Sequence, residues 1–411
     1  MYIILFQTNP TRGRLLMQRI VLLSCIMAIT IGCSQAPSPI SLDQWTYIQV
    51  DNNRGKWGDF APKKSIKYFG LAARDITGDG YGDLVAGRYF YRNPGGDMAA
   101  PWPRIDLGLN VDGVLFVDVD GDEFGDIIGI ALPDVYWLEA ADTEGSAWKA
   151  HIIAKIPKTK HINSQGHQTA QIISGGKEEI LLSSGGGVHC LSIPAQPENG
   201  NWPAIAIAPE SSEEGIGIQD IDGDGDLDIS AGYGSKQEGS KLAWWENPGQ
   251  LAAGWAMHPV GEVEAYVDRV KIADMNGDGR ADIIVSEERW PGKEPNASCF
   301  WFEQGVSPQA DWTRHTVITE YSLNNLDVAD MDRDGDMDIV TCEHKGPSEK
   351  LQIFENDGAG NYTEHLLDQG KESHLGAETA DLDGDGDREI FSVAWDEHKF
   401  LHLWRNDAIK K

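Results

Sequence analysis

Hydrophobic positions in this chain come in short runs bounded by Gly, Asp and Asn, and the runs recur with a period near 50 residues. One kind of run is aliphatic and leaves an acidic loop, as in Asp83-Leu84-Val85-Ala86. A second is aromatic and precedes a turn, as in Tyr89-Phe90-Tyr91, Tyr136-Trp137, Trp244-Trp245, Phe300-Trp301-Phe302, Phe354 and Trp404. A third is led by an aromatic residue and then alternates, starting at Trp45, Trp102, Trp148, Trp202, Trp255, Trp312 and Tyr362. Runs of this length and content predict strands, about four to a period, and no amphipathic helix pattern of useful length intervenes. Four short strands repeated at this spacing predict propeller blades.

Each marker occurs seven times, so the expected fold is all-β: a seven-bladed propeller of four-stranded antiparallel blades over residues 44–408. The chain reaches Lys411 soon after the seventh aromatic run, with no outer strand left to follow it. The run from Trp45 to Val50 has no inner strands before it, so it is expected to complete the last blade. That three-plus-one closure would leave no open sheet edge at the seam.

Ahead of the blades, Arg19 is followed by an apolar stretch, Ile20 to Ile31, ending at Gly32-Cys33. A run that short suits a secretory signal better than a membrane span, so residues 1–32 are read as a signal peptide and 33–43 as a linker. Thr30-Ile31-Gly32-Cys33 resembles a bacterial lipobox, with Cys33 as the lipidated first mature residue, which implies an exported lipoprotein, periplasmic or at the cell surface. Cys190, Cys299 and Cys342 have no close spacing, which disfavours a disulfide framework and a Cys-based zinc site and suits buried strand positions.

Charge adds the chemistry. The net charge of −31 argues against nucleic acid and against docking on an anionic membrane, and a monomer is expected. The acid is concentrated in six loops of one nine-residue template, of which Asp220-Ile-Asp-Gly-Asp-Gly-Asp-Leu-Asp228 is typical. Their starts are 43, 102, 54, 56 and 51 residues apart, so the long gap hides a seventh copy, Gln171-Ile-Ile-Ser-Gly-Gly-Lys-Glu-Glu179, that has lost its ligands. Positions 1, 3, 5 and 9 are Asp75, Thr77, Asp79 and Asp83 in the first loop and Asp118, Asp120, Asp122 and Asp126 in the second. They are Asp220, Asp222, Asp224 and Asp228 in blade 4, and Asp274, Asn276, Asp278 and Asp282 in blade 5. In blade 6 they are Asp330, Asp332, Asp334 and Asp338, and in blade 7 Asp381, Asp383, Asp385 and Glu389. Oxygen donors crowded into a tight, Gly-containing loop repel one another unless a hard cation lies among them, and this donor set favours Ca²⁺ in up to six structural sites. These loops hold 22 acidic side chains, and without them the chain stands at −9.

With these loops the chain resembles the FG-GAP/VCBS repeat family, found in the propeller heads of integrin α chains and in many secreted bacterial proteins. The resemblance implies calcium between the first and second strands of each blade, on the face away from the usual ligand funnel. It does not imply a function. The opposite rim offers Glu287, Arg289, Trp290, Asn324, Asn325 and Trp395 for a carbohydrate or an extracellular protein, with the indoles stacking on sugar rings. The Trp-x-x-His strands and Trp-Glu-Asn-Pro turns also look like the propeller of aldos-2-ulose dehydratase and of some polysaccharide lyases. The alternative is therefore a carbon–oxygen lyase on acidic or oxidised sugars, with His167, His344 or His374 as base and Arg269 or Lys345 stabilising charge. Of the other histidines, His161 could join His167 at a rim zinc, while those inside Trp-x-x-His (His151, His258 and His315, with His365 after Tyr362) recur with the strand and are expected to be structural.

Overall fold

The computed structural model describes residues 38–55, 68–122, 125–160, 163–235, 239–371, 374–394 and 399–409. The signal segment with Cys33, together with His161, Trp395 and the side chain of His374, lies outside the described residues. Seven four-stranded antiparallel sheets follow one another along the chain. Their inner strands are Leu71–Arg74, Asp112–Phe116, His167–Ala170, Ser211–Gln219, Tyr266–Ala273, Asp327–Ala329 and His374–Ala380. Consecutive inner strands touch all the way round, the first meeting the last, so the sheets form a closed ring. Two short 3₁₀ turns, Pro197–Asn199 and Leu251–Ala253, are the helical elements among the described residues.

The third blade lies where the doubled gap placed it, with strands His167–Ala170, Glu179–Ser184, Gly187–Leu191 and Ala204–Ala208. The last blade closes as expected. Glu389–Ala394 and Leu401–Asn406 follow the inner strand, and Trp45–Asp51 pairs with Leu401–Asn406, placing Trp45 opposite Asn406 and Tyr47 opposite Trp404.

The core is distributed over the seams between blades. Seven hydrophobic clusters each join two neighbouring blades. Both faces of every blade are therefore buried, which explains why runs such as Ile180-Leu181-Leu182 do not alternate with polar residues. The pair Trp244-Trp245 shows the logic. Successive strand residues face opposite ways, so Trp244 packs in the seam with blade 5 and Trp245 in the seam with blade 3. Each buried indole is worth on the order of 4 kcal/mol of apolar burial. Cys190, Cys299 and Cys342 are free thiols buried in strands, as the sequence suggested.

The histidines of the outer strands take structural positions. His151, His258 and His315 stack on Trp137, Trp244 and Trp301 at 4.4–4.5 Å, and their Nε2 atoms lie 2.7–2.9 Å from Glu139, Glu246 and Glu303. His365 makes the same contact with Glu355 at 2.6 Å.

Candidate metal loops and ligand face

Each acidic loop joins the inner strand of its blade to the second strand and is shaped by its own carboxylates. The position-1 side chain turns back on the loop, so that Asp220 accepts from the N–H groups of Gly223 at 2.8 Å and Gly225 at 3.1 Å. Asp75 and Asp381 accept from the corresponding residues of their loops. The second of these residues must turn through positive φ, and Gly225 (φ 97°) and Gly335 (φ 105°) do so with open space around the missing side chain.

Position 9 behaves differently. Asp83, Asp126, Asp228, Asp282, Asp338 and Glu389 are buried, and each accepts the backbone N–H of position 2 of its own loop. In blades 1, 4, 5 and 6 the second oxygen accepts the N–H of Asn93, Asn247, Gln304 or Asn356, each at 2.8 Å. Burial pushes these acids up, Asp83 and Asp282 to about 6, Asp126, Asp228 and Asp338 to about 7, and Glu389 to about 9. The degenerate third loop keeps this part alone: Glu179 accepts from Ile172 at 3.0 Å and Ile173 at 3.2 Å. Position 9 is thus a fold clamp as well as a candidate ligand.

The amide residue after the third strand, read from sequence only as part of a turn marker, also reaches across the seam. Asn93, Asn247, Gln304 and Asn356 donate from their side-chain nitrogens to the position-2 carbonyl of the preceding blade: Leu382, Ile172, Ile221 and Met275, at 2.7–3.0 Å. Blades 2 and 3 have Ala140 and Ile193 there, and Lys177 fills the second vacancy by donating to the carbonyl of Val119 at 2.7 Å. Aligning the turn with the loop of the previous repeat would have exposed the pairing.

The donor set suits a hard cation. Carboxylate oxygens lie within 4.8 Å of one another for Asp118, Asp120 and Asp126, for Asp220, Asp222 and Asp228, for Asp330, Asp332 and Asp338, and for Asp381, Asp383 and Asp385. Asp330 Oδ1 and Glu389 Oε1 are buried without a hydrogen-bond donor among the described residues, which is costly for an anionic oxygen and is relieved by a bound cation. Positions 1, 3, 5 and 9 would hold that ion, and its chemistry there would be charge neutralisation.

On the other face, the residues singled out for a rim divide in two. Glu287 is buried, and its oxygens accept from the backbone of Glu264, Ala265 and Ser298, so it secures the blade and is not free to fix a sugar hydroxyl. Asn324 donates to Asp268 at 3.2 Å, Asn325 accepts the N–H of Ala377 at 2.6 Å, and His344 is buried, so these too are interior groups. Arg289 donates to the carbonyl of Asn296 at 2.8 Å. Among the described rim residues Trp290 stands out, 75% exposed, with the Lys345 ammonium 5.1 Å from its ring centre and Lys345 paired with Glu288 at 2.8 Å.

His167 and Arg269 do converge, at a cavity of about 50 Å³ lined by residues at or just ahead of the inner strands of six blades and therefore on the ring axis. Arg269 pairs with Asp268 at 2.9 Å and reaches Gln165 at 3.0 Å, and Gln165 donates to Glu214 at 2.7 Å. Burial, then the positive charges of Arg269 and Lys271, depress His167 to about 3. Burial also raises Glu378, another lining residue, to about 7. An imidazole held neutral so firmly is a weak base, and the space is far below the roughly 300 Å³ of a small-molecule pocket.

Comparison with known proteins agrees with this architecture. The family model described as "FG-GAP-like repeat" matches residues 176–285 and 330–392. No curated protein matches the sequence well enough to count as a relative. Among solved structures, BBS1N in complex with ARL6DN is similar in two crystals, at 10% and 9% identity with TM-scores of 0.54 and 0.53. These alignments cover 85% and 89% of this chain and 96% and 100% of the other. A lectin of Agrocybe aegerita, described as recognising non-reducing terminal N-acetylglucosamine, aligns at 17% identity over 79% of this chain and 88% of its own, with a TM-score of 0.45. At these identities the BBS1N likeness speaks to fold alone.

Proposed function

Given that this chain is a seven-bladed propeller whose residues 176–285 and 330–392 match an FG-GAP-like repeat, we propose that it is an exported, calcium-stabilised recognition module whose ligand is a carbohydrate held against Trp290. The exposure of Trp290 carries this reading. A ring that buries Trp137, Trp244, Trp245 and Trp301 in its seams leaves this indole in solvent, beside a paired Lys345 and Glu288 that offer donors and acceptors at its edge. An aromatic face flanked by polar groups suits the apolar face and equatorial hydroxyls of a sugar ring. The calcium loops lie at the ends of the inner strands leading away from this face, so the ions would stiffen the ring without touching the ligand. Export and anchoring through Cys33 complete the proposal, and loss of incorporated lipid in Cys33→Ala would support them.

The test is a glycan array probed with the calcium-loaded protein and with Trp290→Ala. Binding that disappears in the variant supports the reading. Equal binding by both proteins, or binding only to a protein partner, overturns it.

A further inference from the structure

The amide bridges between blades couple some metal loops and leave others separate. Gln304 joins the loop of blade 5, through Asp282, to Ile221 in the loop of blade 4. Asn356 joins blade 6, through Asp338, to Met275 in blade 5. Asn93 joins blade 1, through Asp83, to Leu382 in blade 7. Asn247 ties blade 4 to blade 3, which has no ligand set, so nothing is passed on there. Blade 2 has Ala140 in place of the amide and is gripped from blade 3 by Lys177. The seam between blades 6 and 7 lacks the bridge, because the Asn406 side-chain nitrogen has no partner among the described residues.

We propose that the six loops load calcium in three groups: blades 4, 5 and 6 together, blades 7 and 1 together, and blade 2 alone. The argument rests on the calcium reading above and goes beyond it. One amide residue holds three points at once: its backbone N–H donates to the position-9 acid, and its side-chain nitrogen to the position-8 carbonyl of its own loop and the position-2 carbonyl of the loop before. An ion that fixes position 9 fixes this turn, and with it the backbone next to position 1 of the neighbour. Ordering that the first ion has completed need not be repeated for the second, so affinities rise together, and the effect is reciprocal.

The experiment is calcium binding by equilibrium dialysis on the full exported chain and three single-ligand variants. Asp278→Ala in blade 5 is expected to lose its own ion and weaken two others by about fivefold or more. Asp79→Ala in blade 1 should weaken one other, and Asp122→Ala in blade 2 none. In a Gln304→Met, Asn356→Leu background the coupling is already absent, so adding Asp278→Ala should remove its own ion and leave the affinities of the other two unchanged. Far-UV circular dichroism confirms folding of each variant. If all three variants lose one ion and leave the remaining affinities unchanged, or if Asp122→Ala weakens as many sites as Asp278→Ala, the grouping is overturned with the calcium reading intact. No binding by the unaltered protein would overturn both.

Discussion

The side-chain nitrogen of Asn356 lies 2.8 Å from the carbonyl oxygen of Met275, a residue 81 positions earlier and in the neighbouring blade. Contacts of this kind make the loops part of the ring's framework, so their removal should be felt in folding as well as in ion binding. Stripping calcium with a chelator is expected to lower the melting temperature sharply and reversibly. Calorimetry with and without EGTA measures this, and an unchanged transition would remove the calcium assignment.

The two roles within one loop can be separated. Asp228→Ala leaves the buried N–H groups of Ile221 and Asn247 without acceptors and should cost about 2–4 kcal/mol even in EGTA. The exposed Asp224→Ala should cost little in EGTA and show its loss only with calcium present. Urea unfolding under both conditions gives the comparison, and equal behaviour of the two variants would refute the division.

The blades, their number and the closing strand were legible in the sequence because each repeat carries its own turn chemistry and apolar runs. The acidic loops and their place between first and second strands were legible for the same reason. What escaped was whatever depends on two repeats at once. Asn93 and Asn356 read as turn residues because their partners are in another blade. Glu287 and His344 read as surface groups because loop charge is ordinarily solvated, whereas here Glu287 is taken up by backbone N–H groups from three residues. Alignment of the inner strands would have shown the polar positions Asp112, Gln165, Glu214 and Asp268, the first three each followed by a glycine (Gly113, Gly166, Gly215) that lets the neighbouring blade approach.

The axis offers a pH test. Glu378 titrates near 7 in the folded ring against about 4.3 in an unfolded chain, so the folded state holds more protons between those values. Its contribution to stability is present at low pH and is lost as pH rises from about 4 to about 7. His167, at about 3, acts oppositely and costs stability as pH falls below about 6.5. Thermal melts of Glu378→Gln should therefore gain on the parent protein between pH 5 and pH 8, and a constant difference would contradict the assignment.

Trp290→Ala should leave stability within about 0.5 kcal/mol, since the indole is largely in solvent, while abolishing glycan binding. A loss of several kcal/mol on urea unfolding would instead make Trp290 a structural residue.

Uronic-acid polysaccharides should give no rise in ultraviolet absorbance with this protein, because His167 is too weak a base and its surroundings too small for a sugar. A rise that His167→Ala abolishes would restore the lyase reading.

The strand Trp45–Asp51 has one further consequence. Thr46 donates a hydrogen bond to Asp407, 361 positions away, so the last blade is completed by a strand synthesised before those of every other blade. Closing so long a span carries a loop-closure entropy cost, and this is the pairing of greatest sequence separation in the ring, so it is expected to form after the local hairpins of each blade. A circularly permuted chain that carries this strand directly after Asn406 would turn this long-range pairing into a local hairpin, and it should refold faster while keeping the same seven seams.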